Sequence, residues 1–341
     1  MDDRGADQRP SGRAHQADGP HPTADDAIES PAHALADRNV LVTGGAGFIG
    51  SHLSATLSPD ADVTVLDSLA TGSAATVPDG TTLLEADVRD TETLEAAVAA
   101  ADVVFHEAAI VSVERSIEDP LESHAVNARA TLELLEAARR HDTRVVVASS
   151  AAIYGQPEST PIAESAPKRP ASPYGLEKQA VDRYAALYHD LYDLETVALR
   201  YFNVYGPGQT GGDYAGVISV FVEQALADEP ITVHGDGGQT RDFVFVTDVV
   251  RANLAAATTD RVGRAYNVGT GRSISIRELA ELIREIADAD SEIVHTDARE
   301  GDIDRSEADI SNVRDHLDFE PTVPIREGLE RTIDWYRREQ M

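Results

Sequence analysis

The stretch SPYGLEKQA places Tyr174 and Lys178 four residues apart. On a helix that spacing puts both side chains on one face. A free phenol titrates near 10, so service as a base near neutral pH requires lowering it by about 3 units, roughly 4 kcal/mol. A cation about 4 Å away, at an effective dielectric near 20, supplies about that much. Lysine suits the post because its ammonium is a compact point charge with rotatable donors. The chain is sparing with it: Lys168 and Lys178 are the only lysines, and arginine carries every other fixed positive charge. Y-x-x-x-K alone also describes a solvated lysine beside an aromatic, so the surroundings must decide. Just upstream, SSAAIYG (149–155) closes a valine-rich run and brings Ser150 to its end.

A second group lies near the start of the ordered pattern. In LVTGGAGFIGSHL, Gly44, Gly47 and Gly50 follow an apolar run and open a helical one. Glycine permits a tight turn and lets backbone approach a pyrophosphate at a helix N-terminus. Asp67 ends the next apolar run, at the interval expected of a dinucleotide site. Its carboxylate can accept both hydroxyls of an adenine ribose and would repel a 2′-phosphate, which favours NAD over NADP. A glycine turn with a capping aspartate is the plainer alternative.

These groups need a frame. Apolar runs at 39–43, 62–67, 81–87, 102–108, 144–150 and 195–201 read as strands of a sheet covered on both faces. Helical spacing fills the gaps, most clearly over 121–141 and again over 173–192. Alternation of this kind predicts an α/β fold, a Rossmann-type doubly wound parallel sheet. After residue 205 the rhythm loosens into a smaller C-terminal α/β substrate-binding lobe, with helices near 216–228 and 325–338. The expected division is 1–36, a disordered acidic extension; 37–205, the NAD-binding part; and 206–341, mainly the substrate lobe, with some elements returning to the first part.

Composition bounds the setting. The formal net charge is −31, from 60 acidic and 29 basic residues. Such self-repulsion is tolerable where salt screens it, since the Debye length falls to about 3 Å at 1 M. The expectation is a salt-rich cytoplasm, as in halophilic archaea. The acidity argues against nucleic acid as a partner. Absence of cysteine excludes disulfides, thiolate metal sites and a cysteine nucleophile. No apolar run reaches the roughly 18 residues that span a bilayer, and no signal-peptide pattern is present. A cytoplasmic, membrane-free protein without a bound metal is expected.

The G-x-x-G-x-x-G spacing, Y-x-x-x-K, LDSLATG (66–72), ADVRD (86–90) and HEAA (106–109) together resemble the extended short-chain dehydrogenase/reductase superfamily. Within it, residues 112–139, LRYFNVYGPGQ (199–209), 213–226 and 234–254 are similar to the UDP-glucose and UDP-N-acetylglucosamine 4-epimerases. The resemblance implies that Ser150, Tyr174 and Lys178 are catalytic, with the positive nicotinamide ring helping Lys178 to acidify the phenol. It implies NAD contacts at Gly44, Gly47, Phe48, Ile49, Gly50, Asp67, Leu69, Gly72, Asp87, Val88, Ala108, Ala109, Val111, Asn127, Tyr174, Lys178 and Phe202. It implies contacts to a nucleotide sugar, a UDP-hexose, at Ser112, Ser150, Tyr174, Asn203, Val217, Arg241 and Arg299. The two arginines would clamp phosphates; the alternative is surface pairing with Asp242 and Glu300. His106 is a structural position in that family.

Related dehydratases and decarboxylases carry acidic residues just after the Ser150 position, where this chain has Ala151 and Ala152. Alanine can donate no proton, so oxidation at C4 followed by re-reduction is the implied reaction and elimination is disfavoured. The resemblance also implies a homodimer through the helices at 121–141 and 173–192. A UDP-glucuronate 4-epimerase, a reductase or dehydratase of nucleotide sugars, and a non-catalytic NAD-binding scaffold stand as alternatives.

Overall fold

The computed structural model describes residues 31–209, 216–299 and 301–339. The extension as far as residue 30, the segment 213–215 and Glu300 lie outside them. In chain order the strands are β1 (Asn39–Thr43), β2 (Asp62–Asp67), β3 (Thr82–Glu85), β4 (Val103–His106), β5 (Arg144–Ser150), β6 (Thr196–Tyr201), β7 (Asn203–Tyr205), β8 (Ile231–His234), β9 (Thr240–Arg241), β10 (Phe243–Phe245), β11 (Arg264–Val268), β12 (Ile274–Ser275) and β13 (Ile293–Thr296). The helices are α1 (Phe48–Leu57), α2 (Thr91–Ala99), α3 (Val113–Glu118), α4 (Pro120–His124), α5 (Ala130–His141), α6 (Pro173–Tyr192), α7 (Val217–Leu226), α8 (Val246–Thr258), α9 (Ile276–Ala287), α10 (Ser311–Leu317) and α11 (Ile325–Glu339).

A seven-stranded sheet runs in the order β11-β6-β5-β4-β1-β2-β3. Its neighbours pair parallel throughout, for instance Leu41 with Thr64 and Val104, and Val147 with Ala198. Val145, Val146 and Val147 of β5 are all inaccessible to solvent, as a strand buried on both faces requires. One face packs Leu53 and Leu57 of α1 and Val249 and Val250 of α8; the other packs Leu94 of α2, Leu134 and Leu135 of α5 and Val181 of α6. The order reverses between β1 and β4, and in doubly wound sheets ligands bind outside the carboxyl ends of the strands at such a point.

Three local results refine the sequence reading. Residues Pro31–Leu35, assigned above to the extension, form a 3₁₀ turn, and Leu35 is buried in the core beside α8. The run 121–141 is helical but not one regular helix: α4 passes into α5 through a π-helical turn, Ala125–Arg129. The seventh strand, β11, comes from well beyond residue 205 and completes the main sheet beside β6. The smaller lobe pairs β8 with β13, β7 with β10 and β9 with β12, and packs α7, α9 and α11 around Phe221, Leu279, Ile283 and Ile333. From Pro31 onward the chain is one compact unit. Among the described residues no helix is long and apolar enough to cross a membrane.

Candidate active site

The glycine turn joins β1 to α1. Gly44 has φ +70°, and a Cβ there would lie 2.6 Å from the Ala108 amide nitrogen. At Gly50 a Cβ would meet the Gly44 carbonyl oxygen at 2.2 Å, so only glycine lets the helix sit down on the turn. At Gly47 a Cβ would meet only the Gly44 carbonyl, at 3.2 Å. Gly47 caps α1 with no side-chain hydrogen bond, so the first amides of Phe48 and Ile49 are left without a side-chain acceptor. That end carries the positive pole of the helix and suits a pyrophosphate.

Asp67, nearly buried, fixes the lip of the turn. Its carboxylate accepts from the Ala46 amide at 3.0 Å and the Leu69 amide at 2.8 Å. Leu69 is held at φ +56°, and a Cβ on Gly72 would strike the Ala46 carbonyl at 2.6 Å. Asp87 is gripped by Arg89, whose Nε and Nη2 donate to its two oxygens at 2.8 and 2.6 Å; that pairing holds its carboxyl below the usual range. Val88 beside it is buried. The uncapped helix end, the glycine approaches and the Asp67 carboxylate at the end of β2 suit NAD.

The catalytic candidates come from β5 and α6. Ser172 caps α6 by accepting from the Gly175 amide at 3.1 Å, and Pro173 opens the helix where a missing N–H costs nothing. The Tyr174 amide donates to Ser116 Oγ at 3.2 Å. This start places Tyr174 near Ser150, whose hydroxyl acts on the phenol and accepts from the Ala152 amide at 3.1 Å. One turn later Lys178, buried, donates from Nζ to the Ala148 carbonyl at 2.8 Å.

The electrostatics differ from the simple expectation. Loss of water raises the Tyr174 phenol; the Ser150 hydroxyl works against this, and the charges of Glu177 and Glu107 add to it. Burial brings Lys178 down to about 8, while Glu107 and Glu177 pull it back up. In the chain alone, therefore, the phenol is not yet acidified. A positive charge brought beside Tyr174 must contribute.

His106 is held as a structural residue. Its ring bridges Thr43 Oγ1 at 2.7 Å and Thr131 Oγ1 at 2.8 Å, and burial, with the Lys178 charge, brings it down to about 3. Ala108 and Ala109 follow β4, half-buried, and the Ala108 amide points at Thr43 Oγ1, 3.4 Å away. Val111 is exposed. Asn127 sits in the π-helical turn with its side chain fully engaged, donating to the Ile110 carbonyl at 2.9 Å and to Glu177 at 2.8 Å and accepting from the Ile110 amide at 2.8 Å. Its side chain therefore shapes the loop after β4. Phe202 is buried among Ile153, Tyr154 and Ile162.

The substrate candidates are more dispersed. Ser112 caps α3 by accepting from the Arg115 amide. Asn203 is exposed on β7, and Val217 opens α7 half-buried. Arg241 on β9 is buried and pairs through Nη2 with Asp302, while Arg299 is exposed. The Arg299 carbonyl accepts from the Asp302 amide at 3.3 Å, so this one acid sits between the two arginines. Asp242 is not the partner of Arg241. Its carboxylate turns the other way, taking the amides of Thr270, Gly271 and Ala308 and the Thr270 hydroxyl.

Sequence reasoning missed Ser116, Glu177, Asp302 and Glu107. Asp302 was visible beside Arg299 in REGD, and Glu107 as a lone charge inside VVFHEAA.

The sequence profile of the NAD dependent epimerase/dehydratase family matches residues 40–269. This chain belongs to that family. A UDP-glucose 4-epimerase of Mycolicibacterium smegmatis is 39% identical over 308 residues, covering 88% of this chain and 98% of the relative. A UDP-N-acetylglucosamine 4-epimerase of Methanobrevibacter ruminantium M1, solved with UDP-N-acetylmuramic acid, superimposes with a TM-score of 0.86 at 38% identity, covering 90% of this chain and all of the other. The Thermus thermophilus UDP-glucose 4-epimerase, solved with NAD, gives a TM-score of 0.82 at 40% identity, covering 88% and 99%. The family's NAD dependence accords with the turn and carboxylate described above.

Proposed function

We propose that this chain is an NAD-dependent 4-epimerase of UDP-hexoses, of the glucose/galactose or the N-acetylhexosamine pair. The observation that carries the reading is Ser150 at the carboxyl end of β5, with Tyr174 at the start of α6 and Lys178 one turn on, its Nζ on the Ala148 carbonyl. Bound NAD supplies a hydride acceptor and, with its pyridinium, positive charge. Ser150 holds the sugar 4-hydroxyl by a hydrogen bond, and Tyr174 takes its proton as C4 is oxidised. Lys178 holds the nicotinamide ribose and adds its charge to the lowering of the phenol. Tyr174 returns the proton when the 4-keto sugar is reduced on its other face.

Ala151 and Ala152 begin the 3₁₀ turn after Ser150 and offer no acid to expel a hydroxyl, which supports epimerisation over elimination. Arg241, held by Asp302, and Arg299 are proposed to bind the diphosphate, with Asn203, Ser112 and Val217 completing the pocket. Incubation with UDP-glucose, UDP-N-acetylglucosamine and UDP-glucuronate, each followed by product analysis, tests this. Interconversion at C4 of either of the first two supports it; conversion of the glucuronate alone, or no conversion at all, overturns it.

The assembly proposed is a homodimer. Val113 and Ile117 on α3, Leu121 on α4 and Leu176 on α6 are exposed apolar side chains on helices that touch one another, with Leu121 82% exposed. A second copy would cover such a patch. The setting proposed is a salt-rich cytoplasm.

A further inference from the structure

Three side chains of one sheet row converge on a single buried polar group. In register, Arg200 of β6 stands between Ser149 of β5 and Asn267 of β11. Arg200 is buried, and its Nε and Nη2 donate to the two oxygens of Asp182 on α6, at 2.7 and 2.8 Å. Its Nη1 donates to Tyr154 Oη at 2.8 Å and to the Glu164 carbonyl at 3.0 Å. Four of the five N–H groups of the guanidinium are thus engaged. The proposed mechanism gives this residue no task.

The connections reach each part of the catalytic set. Asp182 follows Tyr174 and Lys178 at intervals of four, so the three share one face of α6. Ser149, the residue before Ser150, donates from Oγ to Asp182 Oδ2 at 3.3 Å. Tyr154 closes the 3₁₀ turn Ala151–Tyr154 that Ser150 caps. With its oxygen accepting from Arg200, the single Tyr154 hydrogen goes to Asn267 Oδ1 at 2.7 Å, and Asn267 Nδ2 donates to the Ile162 carbonyl at 2.8 Å. One guanidinium therefore ties the helix of Tyr174 and Lys178 to the strand end and the turn that hold Ser150. A planar fork on a carboxylate fixes angle as well as distance. Apolar side chains of similar volume would hold the helix as firmly, since a buried ion pair is often no more stable than such a replacement.

We propose that Arg200 is a positioning residue of this active site: through Asp182 and Tyr154 it sets where Tyr174 and Lys178 stand relative to Ser150. The inference rests on the reading of those three residues as the catalytic set. What the ion pair contributes is direction rather than stability. Lys178 registers that direction, because its Nζ donates to the Ala148 carbonyl, two residues before Ser150 on the same strand. A helix that turns or slides on β5 alters that bond.

Replacing the pair by apolar residues, Arg200→Met with Asp182→Leu, tests this. The double variant is expected to melt close to wild type and to keep NAD, extracted and quantified by chromatography. Its kcat on UDP-hexose, per NAD-loaded molecule, is expected to fall at least about tenfold, while KM stays within about twofold. Tyr154→Phe removes only the oxygen between Arg200 and Asn267; a smaller fall in kcat is expected there, and this variant decides the matter if the double variant does not fold. A second readout needs no turnover. The chain has two lysines, so protein carrying ¹³C-lysine, with NAD present and no sugar nucleotide, gives two side-chain signals by NMR, and Lys168→Arg assigns them. The Lys178 signal is expected to move in both variants, in Tyr154→Phe without any change of charge. A wild-type kcat, or an unmoved Lys178 signal, in the folded variants overturns the proposal. A wild type inactive on every sugar nucleotide sinks the epimerase reading instead, and the Lys178 signal alone then decides.

Discussion

Tyr174→Phe removes the oxygen proposed to take the proton from the sugar 4-hydroxyl and leaves the ring, the α6 cap and the Ser116 contact to its amide in place. Turnover is expected to fall at least about a thousand-fold, while NAD, extracted and quantified by chromatography, stays bound. His106 makes a second prediction at this scale. Its imidazole, with an ordinary value of 6.5, stands at about 3 in the fold. Between those limits the unfolded chain binds the extra proton, so stability is full above the unfolded value and falls as pH drops below it. The slope is about 1.4 kcal/mol per pH unit. Denaturant unfolding at stepped pH should show this slope in the wild type and a flatter one in His106→Gln; equal slopes would count against it. Residue types were legible in the sequence where a motif dictates them, as with Ser150, Tyr174 and Lys178. Partners were not: Arg241 has Asp242 beside it in sequence and yet pairs with Asp302, because the Asp242 carboxylate is taken up by the distant amides of Thr270, Gly271 and Ala308.

At the scale of elements, the π-helical turn between α4 and α5 can be tested directly. It points Asn127 at both polar atoms of the Ile110 backbone. Asn127→Ala would leave a buried N–H and C=O unmatched at a cost of about 2–5 kcal/mol. The denaturation midpoint should drop and NAD should bind more weakly by calorimetry, because the loop after β4 loses its clamp. A midpoint unchanged from wild type would refute the clamp. Most elements could be read in advance. Runs such as RVVVASS show their burial in their composition, and Ser172-Pro173 announces the start of α6. The π-helical turn could not be read, since the 121–141 pattern fits an unbroken helix and the distortion depends on contacts with Ile110 and Glu177. The short strand RAYNV of β11 gave no sign that it belongs beside β6, because that pairing spans 67 residues between Val197 and Arg264.

For the whole molecule, the charge of −31 governs stability in salt. Thermal melting in multimolar potassium chloride should give a markedly higher midpoint than in dilute buffer; equal midpoints would remove the case for a salt-rich setting. The apolar patch on α3, α4 and α6 is tested by Leu121→Glu with Leu176→Glu, which should convert the proposed dimer to monomer in light scattering, with the far-ultraviolet spectrum unchanged; a wild type that is itself monomeric would overturn the dimer.

The return of β11 and α8 to the main sheet has a consequence for dissection. The chain crosses into the smaller lobe and comes back to finish what it began, so no cut after Tyr205 yields a free-standing nucleotide-binding half. Such a fragment would bare the β6 edge along Val197–Tyr201 and the apolar surface that Val249 and Val250 cover. An open edge of that kind recruits strands from other molecules, and the fragment would precipitate where the intact chain dissolves.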